Sequence, residues 1–241
     1  MNILNIFKKK MDTCDTKNAD SCPDRLNLKT LEKIIKTRQN TTEEELEKGY
    51  NLIKKHPRSV SILGSARFNK DSEYYKQAES LAARIAKELK YAVVTGGGPG
   101  IMEAANKGAF EAGGISLGFT IKLPKEQKDN PYLTDSADFE YFFTRKTIIF
   151  FSAETYIYFP GGFGTMDELF EVLTLIQTKK IPATPVILVG RKFWTPLLKL
   201  IDEELLHDVN TINAEDENIY KIVDSEDEII QIIKNAPFRQ E

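Results

Sequence analysis

From about residue 59 onward, short runs of apolar residues alternate with longer stretches in which apolar residues recur at helical spacing. This alternation is typical of successive βαβ units, in which helices connect parallel strands. Most of the short runs are apolar on both faces, as expected for strands that helices cover from both sides. The pattern therefore predicts an α/β protein on a parallel sheet. The predicted strands are 60–63, 92–95, 115–120, 139–143, 156–159, 186–189 and 220–223.

Between and beyond these strands, apolar periodicity predicts helices over 74–89, 101–112, 145–153, 166–179, 196–207 and 226–233. Upstream, apolar residues at helical spacing start at Leu28, and Thr42 followed by three glutamates is typical of a second helix start. The sequence thus predicts a disordered N-terminus (1–25), a helical N-terminal extension (26–57) and one main domain (58–241).

The composition excludes several functional classes. The net charge of −3 and the pI of about 5.7 provide no electrostatic footprint for nucleic acid, although they allow a local basic pocket for a small anion. No apolar run approaches membrane-spanning length, and the first lysines follow the N-terminal apolar residues, whereas those of a signal peptide precede them. We therefore expect a cytoplasmic protein with no membrane or nucleic-acid partner. The two cysteines and two histidines are too scattered to predict a metal centre or a His-based triad.

Small-residue loops follow three of the predicted strands, at 64–67, 96–100 and 161–165. In a parallel sheet these strand ends share one edge, which is where ligands of such sheets bind. Glycines let backbone N–H groups approach a ligand, and a helix that starts directly afterwards favours a phosphate. The alternative is that the glycines only turn the chain tightly into each helix. Two such loops on one edge favour an anion site.

Neither of the two glycine-rich loops matches the common nucleotide motifs. No Gly-Lys-Ser/Thr follows, so a Walker A triphosphate site is not predicted. Ile101 stands where the third glycine of a dinucleotide fingerprint belongs, and the strand at 115–120 is not followed by a ribose-binding carboxylate. A dehydrogenase is therefore a weak candidate.

Charged residues are also predicted at this edge of the sheet. Thr165 and Glu168 have the spacing of a capping box, but the position of Glu168 behind two glycines also places its carboxylate beside a bound ribose phosphate. Glu171 lies one turn further on, where it is available to hold a water or a ribose hydroxyl, or to face solvent. Arg145 and Lys146 are predicted to begin a helix in an apolar setting, so at least one is expected to point at the pocket, the alternative being a charge pair at a helix entry.

Two long runs at these residues, GGGPGIMEAANKGA from Gly96 and PGGFGTMDELFEVLT from Pro160, together with the Arg145-Lys146 pair, closely resemble the Lonely Guy family of cytokinin riboside 5′-monophosphate phosphoribohydrolases. Members of that family are often labelled lysine decarboxylase-like. The similarity extends from about residue 59 to 189. The PGIME sequence and the long N-terminal extension are more similar to a bacterial subgroup than to the short plant members.

The resemblance implies a Rossmann-like, doubly wound nucleotide-binding catalytic domain and a homodimer or higher homo-oligomer. It implies hydrolysis of a nucleoside 5′-monophosphate to a free base and ribose 5-phosphate, with no metal or organic cofactor. Arg145 and Glu168 correspond to the catalytic pair. The corresponding substrate-binding residues are Gly64, Ser65, Gly96, Gly97, Gly98, Pro99, Gly100, Met102, Lys146, Gly161, Gly162, Gly164, Thr165 and Glu171.

Two other functions remain open at this point. A non-catalytic nucleotide or cofactor carrier would use the same scaffold, since a fold alone does not fix an activity. A general purine or pyrimidine nucleotide nucleosidase would perform the same reaction on ordinary monophosphates. The polar segment 123–132, with Glu126, Gln127 and Asn130, is predicted either to cover the base or to be an ordinary surface loop.

Overall fold

The structure, a computed structural model, describes residues 28–123 and 129–238. Internal contacts divide the chain into two units, residues 1–43 and 44–241. Helix α1 (Leu28–Lys55) begins in the first unit and ends in the second. The predicted second helix start at Thr42 is wrong. One helix continues through Thr42, because no glycine or proline lies between Leu28 and Gly49 to interrupt it. The predicted disorder of residues 1–25 lies outside the described residues.

One sheet of seven parallel strands is present in the described part of the chain, and its spatial order is β4-β3-β2-β1-β5-β6-β7. Helices flank it on both sides, which confirms the predicted doubly wound α/β fold with an N-terminal helix. The strands are β1 (Ser59–Leu63), β2 (Ala92–Thr95), β3 (Ser116–Ile121), β4 (Asp135–Phe139), β5 (Tyr156–Tyr158), β6 (Val186–Leu188) and β7 (Tyr220–Ile222).

The connecting helices pack in two layers, and each layer has its own apolar core. Alternate residues of β5 contribute to opposite cores, with Tyr156 and Tyr158 on one face and Ile157 on the other. None of the described helices is long and apolar enough to cross a membrane. The helices are α2 (Glu73–Arg84, continued by a π-helix Ile85–Leu89), α3 (Ile101–Glu111), α4 (Phe142–Ser152), α5 (Phe163–Gln177), α6 (Arg191–Leu200, continued by a π-helix Ile201–Asp208), a 3₁₀-helix (Ala214–Ile219) and α7 (Glu226–Asn235).

The fourth strand differs from the sequence prediction of 139–143. It is Asp135–Phe139, paired along its whole length with β3, and the aromatic residues that follow form the first turn of α4. β4 lies at the edge of the sheet, where one side is free of strand neighbours and polar residues are tolerated. Here the strand is polar and the helix start is aromatic, whereas aromatic residues usually indicate a strand. The sequence prediction was therefore misplaced.

The strand order reverses between β1 and β5. From β1 the chain moves outward through β2, β3 and β4, and then returns to place β5 on the other side of β1. The connections on the two sides diverge at this point and leave a crevice at the carboxyl ends of the two strands. The loops at 64–67 and 161–165 follow these two strands.

Candidate active site

A cavity of about 1160 Å³ opens at this crevice. Its wall combines the loops after β1 and β5 with the beginnings of α3, α4 and α5. The structure thus brings together residues that are about 100 positions apart in the sequence. The predicted site residues on the wall are Gly64, Ser65, Met102, Arg145, Lys146, Gly161, Gly162, Gly164, Thr165 and Glu168.

A smaller cavity of about 130 Å³ shares Met102, Phe142 and Arg145 with the first and is also lined by Gly96 and Asp129. Arg145 therefore borders both spaces. Five predicted site residues lie on neither of these two walls: Gly97, Gly98, Pro99, Gly100 and Glu171.

Backbone hydrogen bonds tie the loop after β1 to its neighbours. The N–H of Ser65 donates to the carbonyl of Pro160 at 3.0 Å, and the N–H of Ile101 donates to the carbonyl of Ser65 at 3.0 Å. Gly100 has a positive φ of 71°, and a Cβ there would lie 2.3 Å from the Ser65 carbonyl oxygen. Only glycine permits this approach. The loop at 96–100 therefore supports the cavity wall from behind.

A buried polar network fixes the loop after β2. The Asn130 amide donates to the carbonyls of Gly97 and Gly98, at 3.0 and 3.1 Å, and also lies 2.9 Å from Asn106 Oδ1. Thr95 Oγ1 donates to the same Asn106 oxygen at 2.6 Å and accepts from the N–H of Gly97 at 2.9 Å. Asn130 thus anchors the glycine loop. The predicted base-covering residues Glu126 and Gln127 lie outside the described residues.

Arg145 and Glu168 form the charged pair of the cavity. Arg145 Nη2 lies 3.6 Å from Glu168 Oε1, and the two side chains are only 11% and 15% exposed. Arg145 Nε is buried without a hydrogen-bond partner among the described residues. The same Nη2 is close to Gly96, where a Cβ would lie 2.4 Å from it. The guanidinium therefore lies close to both a carboxylate and the bare backbone of Gly96.

Burial dominates the electrostatics of this pair. It raises the pKa of Glu168 to about 7, against the opposing effect of the positive charge on Arg145. Burial also lowers the pKa of Arg145, which the charge of Glu168 partly offsets. Arginine stays protonated in proteins, so Glu168 is the member of the pair that titrates near neutral pH.

Lys146, the next residue of α4, forms ion pairs with two carboxylates. Its Nζ lies 2.9 Å from Asp167 Oδ2 and also forms an ion pair with Glu171. Burial lowers the pKa of Lys146, but the hydrogen bonds to Glu171 and Asp167 outweigh it and the net shift is upward. Glu171 therefore balances a lysine and does not lie on the cavity wall.

Helix α5 begins at Phe163 with Gly162 as its N-cap, and no side chain caps it. The capping-box alternative for Thr165 and Glu168 is therefore wrong, because both residues lie inside the helix. Glycine itself is an accepted N-cap, which lets the helix start earlier than the Thr-Glu spacing suggests. The first-turn N–H groups have no intrahelical partner. With glycines on the cavity wall beside them, they are available to an anion.

Sequence reasoning missed several features of the site. Arg67, Lys192 and Phe193 also line the cavity. Arg67 belongs to the loop after β1, so its place was visible in the sequence. Lys192 and Phe193 lie at the start of α6, after β6, and no local motif marks them. The partnership of Asn130 with Asn106 is also invisible locally, since it depends on long-range packing.

A protein-family model described as "Possible lysine decarboxylase" matches residues 102–233, more than half of the 241 residues. The chain belongs to this family, the Lonely Guy family. The matched part of the Lonely Guy chain includes Arg145, Lys146 and Glu168.

Curated relatives of this Lonely Guy family chain carry related names. A cytokinin riboside 5′-monophosphate phosphoribohydrolase of Rhodococcoides fascians is 28% identical over 151 residues, which cover 61% of this chain and 75% of that protein. A probable cytokinin riboside 5′-monophosphate phosphoribohydrolase of Oryza sativa subsp. japonica is 27% identical over 175 residues, covering 72% and 74%. A solved molybdenum cofactor binding protein of Rippkaea orientalis has a TM-score of 0.53 at 24% identity, covering 73% of this chain and 93% of that one. This likeness concerns the fold alone.

Proposed function

We propose that this protein hydrolyses the N-glycosidic bond of a nucleoside 5′-monophosphate, releasing a free base and ribose 5-phosphate. The observation that carries the proposal is the buried Arg145–Glu168 pair, 3.6 Å apart, on the wall of a cavity at the sheet's switch point. The phosphoribohydrolase names of the curated relatives support the same reaction. The protein acts in the cytoplasm as a homodimer or higher homo-oligomer in this proposal.

The 5′-phosphate binds at the start of α5. The glycines at 161, 162 and 164 let the uncapped N–H groups of the first turn reach its oxygens, and the positive end of the helix dipole adds to the attraction. Arg67 and Lys192 on the same wall contribute positive charge. Fixing the phosphate aligns the attached ribose with Glu168, which lies further along the same helix.

Glu168 acts in its ionised form. Breaking a ribosyl C–N bond develops positive charge on the ribose ring, and a carboxylate in a dry site stabilises this charge and orients the attacking water. Arg145 keeps the carboxylate in place and binds the ribose or phosphate of the nucleotide. The proton that the leaving base requires comes from solvent or from a group on the base side of the cavity.

Decarboxylation of lysine through an imine is not supported by the lysine that borders the pair. An imine-forming lysine needs a lowered pKa, whereas the pKa of Lys146 is raised by Glu171 and Asp167. A carrier that only binds a nucleotide or cofactor is the remaining alternative, and the fold it shares with the molybdenum cofactor binding protein is the observation that favours it. A buried Glu168 with a pKa near neutrality favours catalysis.

A substrate panel tests the proposal. Purified protein is incubated separately with AMP, CMP, GMP and N6-isoprenylated AMP, and free base and ribose 5-phosphate are quantified by chromatography. Equimolar release of both products from at least one nucleotide is expected, and the ratio of kcat/KM values assigns the preferred base. Tight binding of a nucleotide without release of base would favour the carrier and contradict the proposed hydrolase.

A further inference from the structure

A buried carboxylate from α1 lies at the start of α4. Glu45 is only 4% exposed, although its charge would ordinarily keep it in water. Its carboxylate accepts hydrogen bonds from the backbone N–H of Glu140 and from the hydroxyl of Thr144, itself fully buried. Glu45 therefore binds the turn that leads into the helix carrying Arg145.

Helix α4 lacks the features that normally stabilise a helix start. Its N-cap, Tyr141, makes no side-chain capping hydrogen bond, and its first turn contains no acidic residue. Two cations, Arg145 and Lys146, instead follow at the fourth and fifth helical positions, close to the positive end of the helix dipole. The carboxylate of Glu45 supplies from another helix the negative charge that α4 lacks there, and it holds the residue before the N-cap and the third helical residue by hydrogen bonds.

Contacts beyond Glu45 continue the attachment along α4. Gly49, one turn after Glu45, lies so close to α4 that a Cβ there would be 2.5–2.8 Å from three atoms of Ile148, one turn after Thr144. The ring of Tyr50 meets that of Phe151 edge-on at 5.2 Å. Residues 45–50 of α1 thus contact successive turns of α4.

Arg145 depends on that first turn. Its own N–H donates to the carbonyl of Tyr141, so its backbone belongs to the turn that Glu45 holds through Thr144. The position of its guanidinium matters, because Nη2 lies 3.6 Å from Glu168 Oε1 and next to the backbone of Gly96. A change of about 1 Å in such a group is enough to cost about 10²-fold in rate.

We propose that Glu45 is a positioning residue of the active site, which sets the placement of Arg145 by holding the start of α4 from α1. This assignment rests on the proposed function for its kinetic readout. It gives the carboxyl-terminal part of α1 a role in catalysis, although none of its residues lines the cavity.

The test compares Glu45→Gln with Glu47→Gln, an exposed glutamate half a turn further along the same helix. Glutamine keeps the shape and one acceptor but removes the charge, and Thr144 Oγ1 retains an acceptor in the Tyr141 carbonyl, 2.8 Å away. The fold is therefore expected to survive. We expect Glu45→Gln to lower kcat for nucleotide cleavage by roughly 10- to 100-fold with KM changed less than about threefold. Glu47→Gln should match the wild type.

A second pair of variants covers the case in which Glu45→Gln does not fold. Thr144→Ser keeps the hydroxyl that Glu45 binds, and Thr144→Val removes it at nearly constant volume. The valine variant should lose kcat in the direction of Glu45→Gln, and the serine variant should retain most of it. Equal kcat for the two, or a kcat of Glu45→Gln equal to that of Glu47→Gln well below the melting temperature, would overturn the positioning role.

Amide hydrogen exchange over residues 140–146 gives a readout that requires no substrate. Faster exchange in Glu45→Gln than in Glu47→Gln is expected, since the turn that Glu45 holds through Glu140 and Thr144 is loosened. If the wild type releases no base from any nucleotide, the proposed hydrolase fails, and the exchange comparison alone then decides the positioning claim. Unchanged exchange in Glu45→Gln would overturn it.

Discussion

Glu168 is the residue whose environment says most about the chemistry. A solvated glutamate is ionised throughout the neutral range, but burial raises the pKa of Glu168 to about 7 even with Arg145 3.6 Å away. Desolvation therefore outweighs the attraction of the guanidinium. A carboxylate that is costly to ionise has the most to gain when a positive charge develops beside it, as in the cleavage of a ribosyl bond.

The pH dependence of the reaction follows from this shift. Because the proposed mechanism uses the ionised form of Glu168, kcat/KM for AMP should rise with pH through about 7 and level off above it. At pH 6 roughly a tenth of the plateau value is expected. The second ionisation of the phosphate lies near pH 6, so AMP binding to Glu168→Gln over the same range provides the correction. A rate that falls as pH rises through 7 would assign Glu168 as an acid instead.

Gly96 offers a substitution that separates placement from stability. A Cβ at this position would lie 2.4 Å from Arg145 Nη2 and 2.8 Å from Met102 Sδ, both of which belong to flexible side chains. We expect Gly96→Ala to displace the guanidinium and lower kcat at least about 10-fold, since reacting groups tolerate little misplacement. The free energy of unfolding, measured by urea denaturation, should change by less than about 1 kcal/mol because the displaced atoms can move. Wild-type turnover in Gly96→Ala would show that Arg145 needs no fixed position.

At the scale of elements, Asn130 links the segment before β4 to the glycine loop after β2. It is buried, its amide donates to the carbonyls of Gly97 and Gly98, and its Oδ1 accepts from the N–H of Tyr132 at 3.1 Å. A single side chain thus satisfies backbone groups on two connections. Its position before an edge strand gives no local signal of this role.

Asn130→Ala should therefore destabilise the fold. Loss of the amide leaves the buried carbonyl of Gly98 without this donor, which costs about 1–3 kcal/mol, whereas the carbonyl of Gly97 still accepts from the backbone N–H of residue 130. Asn130→Asp should be at least as damaging, because a carboxylate repels the carbonyls of Gly97 and Gly98 that the amide binds. Urea denaturation with both variants measures the effect. A free energy of unfolding equal to that of the wild type in both would show that other contacts hold the glycine loop.

The elements themselves were largely predictable where apolar periodicity is strong. Strands such as Ala92–Thr95 and helices such as Ile101–Glu111 fall within a residue of the predicted bounds. The start of α4 was not predictable, because its aromatic residues favour a strand and the carboxylate that holds it belongs to Glu45, nearly a hundred residues earlier. The start of α5 was misplaced because a glycine serves as its N-cap.

At the scale of the whole molecule, the strand order creates the crevice and the loop residues line it. The doubly wound order places the ends of β1 and β5 side by side, so loops about 100 residues apart share one wall. The motifs predicted which loops belong to the site, but not which of them line a cavity and which support the wall. The loop after β5 lines the large cavity. Of the residues in the loop after β2, Gly96 alone lies on the wall of either of the two cavities described above, and the rest of that loop supports it from behind.

Membership of the Lonely Guy family and the geometry of the cavity both lead to the expectation that Arg145 and Glu168 act together in the site. The family follows from a match over residues 102–233, whereas the pairing of Arg145 with Glu168 depends on the packing of α4 beside α5. The assignment of both residues to catalysis is a prediction that activity measurements must decide.

The most direct measurement is the turnover and affinity of Glu168→Gln with AMP, or with the preferred nucleotide from the substrate panel. Glutamine preserves the shape of the cavity, so the dissociation constant measured by calorimetry should stay within about threefold of the wild type, while release of base and ribose 5-phosphate should fall on the order of 10²–10⁴-fold. Glu47→Gln, processed in parallel, should retain full turnover. Near-normal turnover by Glu168→Gln would contradict the proposed mechanism.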